Sequence, residues 1–357
     1  MFSGTSVTMP AKTPSEHEAN FLSQARALGI RVDGRSSSDV ARDMIALPVE
    51  KIRDLGWVGA PCTSSDALPD ERASMRVNRE GRGRGRERMD EWLESQVVSS
   101  AGYDGSISYI MTANDPQRSE HAKAIRKIAF EVLERENAEE LMDIYGIKEA
   151  GEESEEEALE KICRFESDIG FFAASLSVAV GSAKGKEKEG MKKERGTETY
   201  FQIFDVGNPF EGMLEKGRFA SHTWDVVALL GAYDEKVKKI EEESTDPQYK
   251  PYSTILEWRK KLITYVVNGK APWTAYRSKT FTEERANGQL DLEGKKDAGV
   301  AMVVKNDGMQ EEPENEYLGA DNARRKRLLA LAERQAGPDG WDVLWTDVCR
   351  RFLMAGK

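Results

Sequence analysis

A chain that moves protons near neutral pH usually does so with an imidazole, and this one offers three: His17, His121 and His222. His17 (Ser15-Glu-His-Glu18) and His121 (Ser119-Glu-His-Ala122) stand in polar helical surroundings and are expected at the solvated surface. His222 differs. It lies in Gly217-Arg-Phe-Ala-Ser-His-Thr-Trp-Asp225, a turn-rich stretch beyond an apolar run, where enzymes built on sheets place reacting groups. A histidine base needs an acid on its other ring nitrogen, to fix the tautomer and stabilise the imidazolium. Asp104 meets that need: it follows the β-branched run Gln96-Val-Val-Ser-Ser100 and is flanked by Gly102 and Gly105, which permit a tight turn. An Asp-Gly pair after a strand is also an ordinary turn, so the two readings stand side by side.

A serine nucleophile on a strand-to-helix elbow would read Gly-x-Ser-x-Gly, and no such run occurs in the 357 residues. The nearest approach, Gly181-Ser-Ala-Lys-Gly185, has alanine at the serine position, and no His-Gly-Gly-Gly stretch offers oxyanion donors. Cys163 lies in an amphipathic helical pattern with no electropositive setting and is not a nucleophile candidate. With Cys62 and Cys349 it makes an odd, sparse set without a Cys-x-x-Cys pair, so neither a disulfide framework nor a zinc site is implied. No cofactor or metal is expected.

The elements that must position His222 and Asp104 are legible as strands and helices in alternation. Strands are expected at Met1–Thr5, 96–100, 198–204 and 300–305, the last of these being the final strand. Helices are expected from Ser15 to Gly29, from a cap at Ser37 or Ser38, from Glu120 to Met142, from the capping box Ser154-Glu-Glu-Glu157 through Ile162, over the charge-free stretch Ile169–Ala183, and over Ile255–Val266. Two stretches read as surface loops: the flexible Arg/Gly-rich segment around 78–88 and the charged segment around 184–196. Isolated apolar strands between helices are the pattern of a sheet buried on both faces. A sheet of four such strands leaves an edge unpaired and makes a poor stand-alone unit.

With 39% apolar residues the chain can bury a substantial core, and a net charge of −11 disfavours nucleic acid and anionic membranes as partners. The Arg-Gly repeats lack the interleaved aromatic residues of a stacking platform. Ile169–Ala183 is too short to span a bilayer. Neither a leader sequence nor an Asn-x-Ser/Thr sequon is found, so a cytoplasmic location is expected. The oligomeric state is not legible.

Several motifs, in order, resemble those of the type-B carboxylesterases of fungal type, which are α/β-hydrolases. Met1-Phe-Ser-Gly-Thr5 and Glu16-His-Glu-Ala-Asn-Phe21 are similar to the strand and segment after the family's nucleophile helix, and Ala46-Leu-Pro-Val-Glu50 to a short helix end. Tyr103-Asp104-Gly105 resembles the acid motif, Phe165-Glu-Ser-Asp-Ile-Gly-Phe171 the segment that follows it, and Asn208–Gly212 through Ser221-His222-Thr-Trp-Asp225 the histidine motif. Asn268-Gly-Lys-Ala-Pro-Trp273 resembles an element near the C-terminal strand.

The resemblance implies a single partial domain over 1–357, the C-terminal half of an α/β-hydrolase fold with a few-stranded, mostly parallel sheet and many packing helices. It implies hydrolysis of a small-molecule ester by the complete protein, with Asp104 as acid and His222 as base. This chain, without the elbow and oxyanion loop, is expected to be inactive and poorly stable alone. The alternative is a non-catalytic binding protein on the same fold, in which Phe171, Phe172 and Trp224 are packing residues rather than walls of an acyl site.

Overall fold

A computed structural model of the chain describes residues 12–53, 74–80, 93–113, 120–184, 197–277, 299–319 and 323–354. Four strands form one sheet in the order β1 (Ser95–Ala101), β2 (Glu198–Asp205), β3 (Val300–Lys305) and β4 (Gly308–Pro313). The pairs β1/β2 and β2/β3 are parallel and β3/β4 is antiparallel. The architecture is thus α/β with a mostly parallel sheet, as the strand and helix alternation predicts.

Parallel neighbours require long crossovers, and helices supply them. Helices α1 (Pro14–Ala27) and α2 (Ser37–Ile45), with shorter ones at Val49–Arg53 and Ser74–Glu80, precede the sheet. Between β1 and β2 run α3 (Ser106–Ala113), α4 (His121–Val132), α5 (Arg135–Tyr145), α6 (Glu155–Glu166), a π-helical stretch Ser167–Phe172 and α7 (Ala173–Lys184). Between β2 and β3 run α8 (Trp224–Leu230), α9 (Asp234–Glu242) and α10 (Pro251–Asn268), and after β4 comes α11 (Ala323–Ala336) with a π-helical stretch Val343–Arg350.

Side chains alternate across a strand, so each strand feeds two cores. Phe201, Ile203, Ala301 and Val303 enter one, with Phe165, Ile169, Phe172, Leu328 and Trp341. Tyr200, Phe204, Met302 and Val304 enter the other with Val97, Trp258 and Leu262. The second core buries one polar chain: Trp258 Nε1 donates to Gln202 Oε1 at 2.9 Å, and Gln202 Nε2 donates to Ser99 Oγ at 3.1 Å. Each of these three side chains thus has a hydrogen-bond partner, as buried polar groups require.

Several expectations change against these coordinates. Val300–Lys305 is not the final strand: Asn306-Asp307 turns the chain into β4, with Gly308 at φ +146°. The alternation is weak in β4 because it lies at an edge and exposes Gln310 and Glu311, which also suits an edge. The single helix expected over Glu120–Met142 is two, broken at Leu133 (φ −100°, ψ 157°), whose side chain is buried. The freed Glu134 amide donates to Gln335 Oε1 at 3.4 Å. The cap of α2 is Ser36, whose hydroxyl accepts from Asp39 N at 3.2 Å, rather than Ser37 or Ser38.

The expected strand at Met1–Thr5, Cys62, most of the Arg/Gly-rich segment and nearly all of the charged segment lie outside the described residues. β1 is an edge among the described strands, yet Val97 to Ala101 are buried. No helix among the described residues is long and apolar enough to cross a membrane.

Candidate functional site

The chain leaves the C-terminal end of β1 through Gly102-Tyr103-Asp104-Gly105. Both glycines are required by crowding. A Cβ on Gly102 would stand 1.9 Å from Asp205 Oδ1 at the end of β2, and one on Gly105 would stand 2.0 Å from the Cys163 carbonyl oxygen. The first allows two strand ends to converge; the second seats the loop on α6.

Tyr103 forms an isolated parallel bridge with Ser221, its amide donating to the Ala220 carbonyl at 3.0 Å. Asp104 and His222 are each one residue beyond that rung, so the backbone brings them abreast. His222 Nδ1 stands 3.0 Å from Asp104 Oδ1, while Asp104 Oδ2 accepts from Ala101 N at 2.7 Å. The carboxylate is fully buried, and the imidazole side chain keeps 19% exposure. With the Asp104 carboxylate as acceptor, Nδ1 carries the proton and Nε2 is left with its lone pair, the tautomer a general base requires.

Three contacts hold the ring. The His222 amide donates to Ser106 Oγ at 2.7 Å, at the start of α3. Phe171, from the π-helical stretch, meets the imidazole edge to face with centroids 5.5 Å apart. Thr223 adopts φ +64°, a left-handed conformation costly for a β-branched residue, and turns the chain at once into α8. Farther out, Asn208 Nδ2 donates to Ser221 Oγ at 3.2 Å, and Asn306 ties this loop to the end of β3 by accepting from Gly207 N at 3.1 Å.

A cavity of about 290 Å³ opens beside His222, lined by Ile107, Phe210, Met213, Leu214 and Phe219 with Ser106 and Asn208. Its wall suits a small apolar group next to a few polar ones. A larger hollow of about 860 Å³ lies between α1 and the C-terminal helices, lined by Lys12, Glu16, Asp347 and Arg350, and holds no histidine.

Of the residues singled out in the sequence, Asp104 and His222 meet. His17 is half-buried on α1. His121 is not at the solvated surface: it is buried at the start of α4, its ring 6.3 Å from that of Phe352 and its amide bonded to the Glu155 carboxylate. Its polar neighbour Glu120 is exposed while the ring turns toward a distant part of the chain.

Phe172 packs against Phe201 and Tyr317, and Trp224 against Phe210, so both are core residues. Phe171 is the one that reaches the imidazole. Cys163 and Cys349 are buried free thiols pushed well above their usual range by burial and the nearby Glu166, the reverse of a reactive thiolate. The sequence assigned no role to Ser106 or Ser221 and gave no sign of the Tyr103–Ser221 rung; Ser106, following Asp104-Gly105 at a helix start, had a visible signal. Among the described residues no cluster of His, Cys, Asp and Glu could hold a metal.

No protein-family model matches the chain, nor does any curated protein. Among solved structures it is similar to a thermophilic PNB esterase, with a TM-score of 0.48 and 14% identity over 92% of this chain and 56% of that one. Two further PNB esterase structures give TM-scores of 0.48 and 0.47 at 15% identity, with the same coverage. The chain spans a little over half the length of these structures.

Proposed function

We propose that this chain is the acid and base half of a carboxylic ester hydrolase of the type-B carboxylesterase family, with the serine nucleophile and oxyanion donors supplied by polypeptide beyond it. The observation that carries this reading is the 3.0 Å contact between His222 Nδ1 and the buried Asp104 Oδ1 at the C-terminal rim of a mostly parallel sheet. Active groups of such sheets collect at that rim. The order along the chain, acid before histidine, is that of the α/β-hydrolases.

In the complete protein, His222 Nε2 takes the proton of the attacking serine. It then returns that proton to the departing alcohol, and water releases the acyl group by the same relay in reverse. Asp104 holds the ring and offsets the imidazolium charge in each step. The small apolar cavity beside His222 supports a neutral small-molecule ester as substrate. The edge strand β1, buried like an internal strand, supports further strands beside it.

The test is labelling with a fluorophosphonate probe. The 357-residue chain is expected to stay unlabelled. A protein that also carries the upstream coding sequence, including a Gly-x-Ser-x-Gly elbow, is expected to be labelled at that serine. Labelling of a serine within the 357 residues would overturn the division of labour.

A further inference from the structure

A second acid group lies beside Asp104. Gly105 N donates to Ser167 Oγ at 2.8 Å, so the residues just before that contact, Asp104 in the acid loop and Glu166 at the end of α6, are brought close together. Glu166 is 3% exposed. Its Oε1 accepts from Ser108 Oγ, in the first turn of α3, at 2.8 Å. Its Oε2 is buried without a hydrogen-bond partner among the described residues, and no cation there pairs with it. An ionised carboxylate in that position would be desolvated, half bonded and next to a like charge. A neutral acid avoids all three costs.

We propose that Glu166 is a positioning residue for the Asp104–His222 pair: as a neutral acid it pins α3 to α6 through Ser108 and leaves Asp104 as the one buried negative charge beneath the imidazole. The inference rests on the reading of that pair as base and acid. The titratable groups facing Glu166 are Asp104 from the acid loop, Cys163 on its own helix and Cys349 on the C-terminal π-helical stretch. Both thiols are pushed well up and stay uncharged. Burial pushes Glu166 up to about 8; the Ser108 hydrogen bond pulls it down and the Asp104 charge adds to the rise. Above that pH a second negative charge joins Asp104. The imidazole then binds its proton more tightly, and the proton is harder to return to a leaving group.

Nitrogen NMR of the histidine rings tests this on the 357-residue chain, since three histidines are readily assigned by substitution. The His222 ring shifts should show an additional inflection near pH 8. Glu166→Gln should abolish it, and Ser108→Ala, which removes a donor to the carboxylate, should move it to higher pH. A wild-type profile without the inflection, or an inflection that survives in E166Q, overturns the proposal. Infrared spectroscopy gives a second readout that does not require a well-behaved solution: the carbonyl stretch of protonated carboxyls at pH 7, weaker in E166Q than in wild type, with Asp342 contributing equally to both. Identical spectra there also overturn it. Neither measurement depends on turnover, so failure of the esterase reading and failure of the Glu166 assignment are seen separately.

Discussion

Asp104 and Asp168 are both fully buried carboxylates, one at the acid loop and the other in the π-helical stretch after α6, and they are built for opposite ends. Asp168 is enclosed by the guanidiniums of Arg324 and Arg325 at 2.8 and 2.7 Å, with the Tyr145 hydroxyl donating at 3.1 Å. Burial opposes its charge, but the two arginines overcome this and hold the carboxyl below its usual range. Its charge is spent inside the core. Asp104 has one backbone amide and one imidazole, and the imidazole keeps an edge at a cavity. A buried charge with surplus cations is a structural lock, whereas one shared with a single titratable ring can move a proton.

The strongest way to break this comparison is to remove the ring. In a protein completed by the proposed upstream half, His222→Ala should lower kcat by about 10⁶-fold, and Asp104→Asn by about 10⁴-fold, a small remainder persisting because a misoriented imidazole still lines the site. Steady-state hydrolysis of a short-chain nitrophenyl ester checks both, and both should unfold near the wild-type midpoint. Equal turnover in wild type and H222A would remove His222 from the mechanism.

Asp168→Asn should show the opposite pattern. It strands Arg325, which is 2% exposed, and should cost about 3–5 kcal/mol in denaturant unfolding while the His222–Asp104 contact persists. A loss below about 1 kcal/mol would mean that the lock is not one.

The smallest effect lies in the pH dependence of stability. Asp168, with its carboxyl held low, contributes stability that is present above pH of about 4 and lost as pH falls through its folded value, so D168N should flatten the acid limb. Glu166, raised to about 8, contributes in the reverse sense: its share is complete below pH of about 4 and is lost progressively as pH rises to about 8, so E166Q should flatten the decline over that range. Asp342, pushed up to about 7 by burial against hydrogen bonds from the Met75 and Arg76 amides, adds a similar decline that ends about one pH unit earlier, which E166Q leaves in place. Unfolding midpoints across the pH range separate the three.

What could be read from the residues follows the range of the forces involved. β1, β2 and β3 are runs of β-branched and aromatic residues buried on both faces, a local property visible without a structure. The capping box at Ser154 is also local, with Ser154 Oγ accepting from Glu157 N at 3.1 Å. β4 escaped because an edge strand exposes Gln310 and Glu311, although the Asn306-Asp307-Gly308 turn announced a hairpin. The burial of His121 depends on Phe352, and the break at Leu133 on Gln335, both distant in the chain. Asp104 and His222 were found because strand ends and flanking turns mark the rim of a sheet. The rung that aligns them, Tyr103 to Ser221, is tertiary and left no trace in the residue pattern.

That single rung also separates what the molecule must keep from what it is free to vary. Register between Asp104 and His222 is set by two peptide groups at 103 and 220, while the stretch from Pro209 to Leu214 supplies much of the cavity wall. Lengthening or shortening that stretch would reshape the wall without sliding the imidazole along its carboxylate, so the cavity can change shape in a lineage while the pair beside it stays in register.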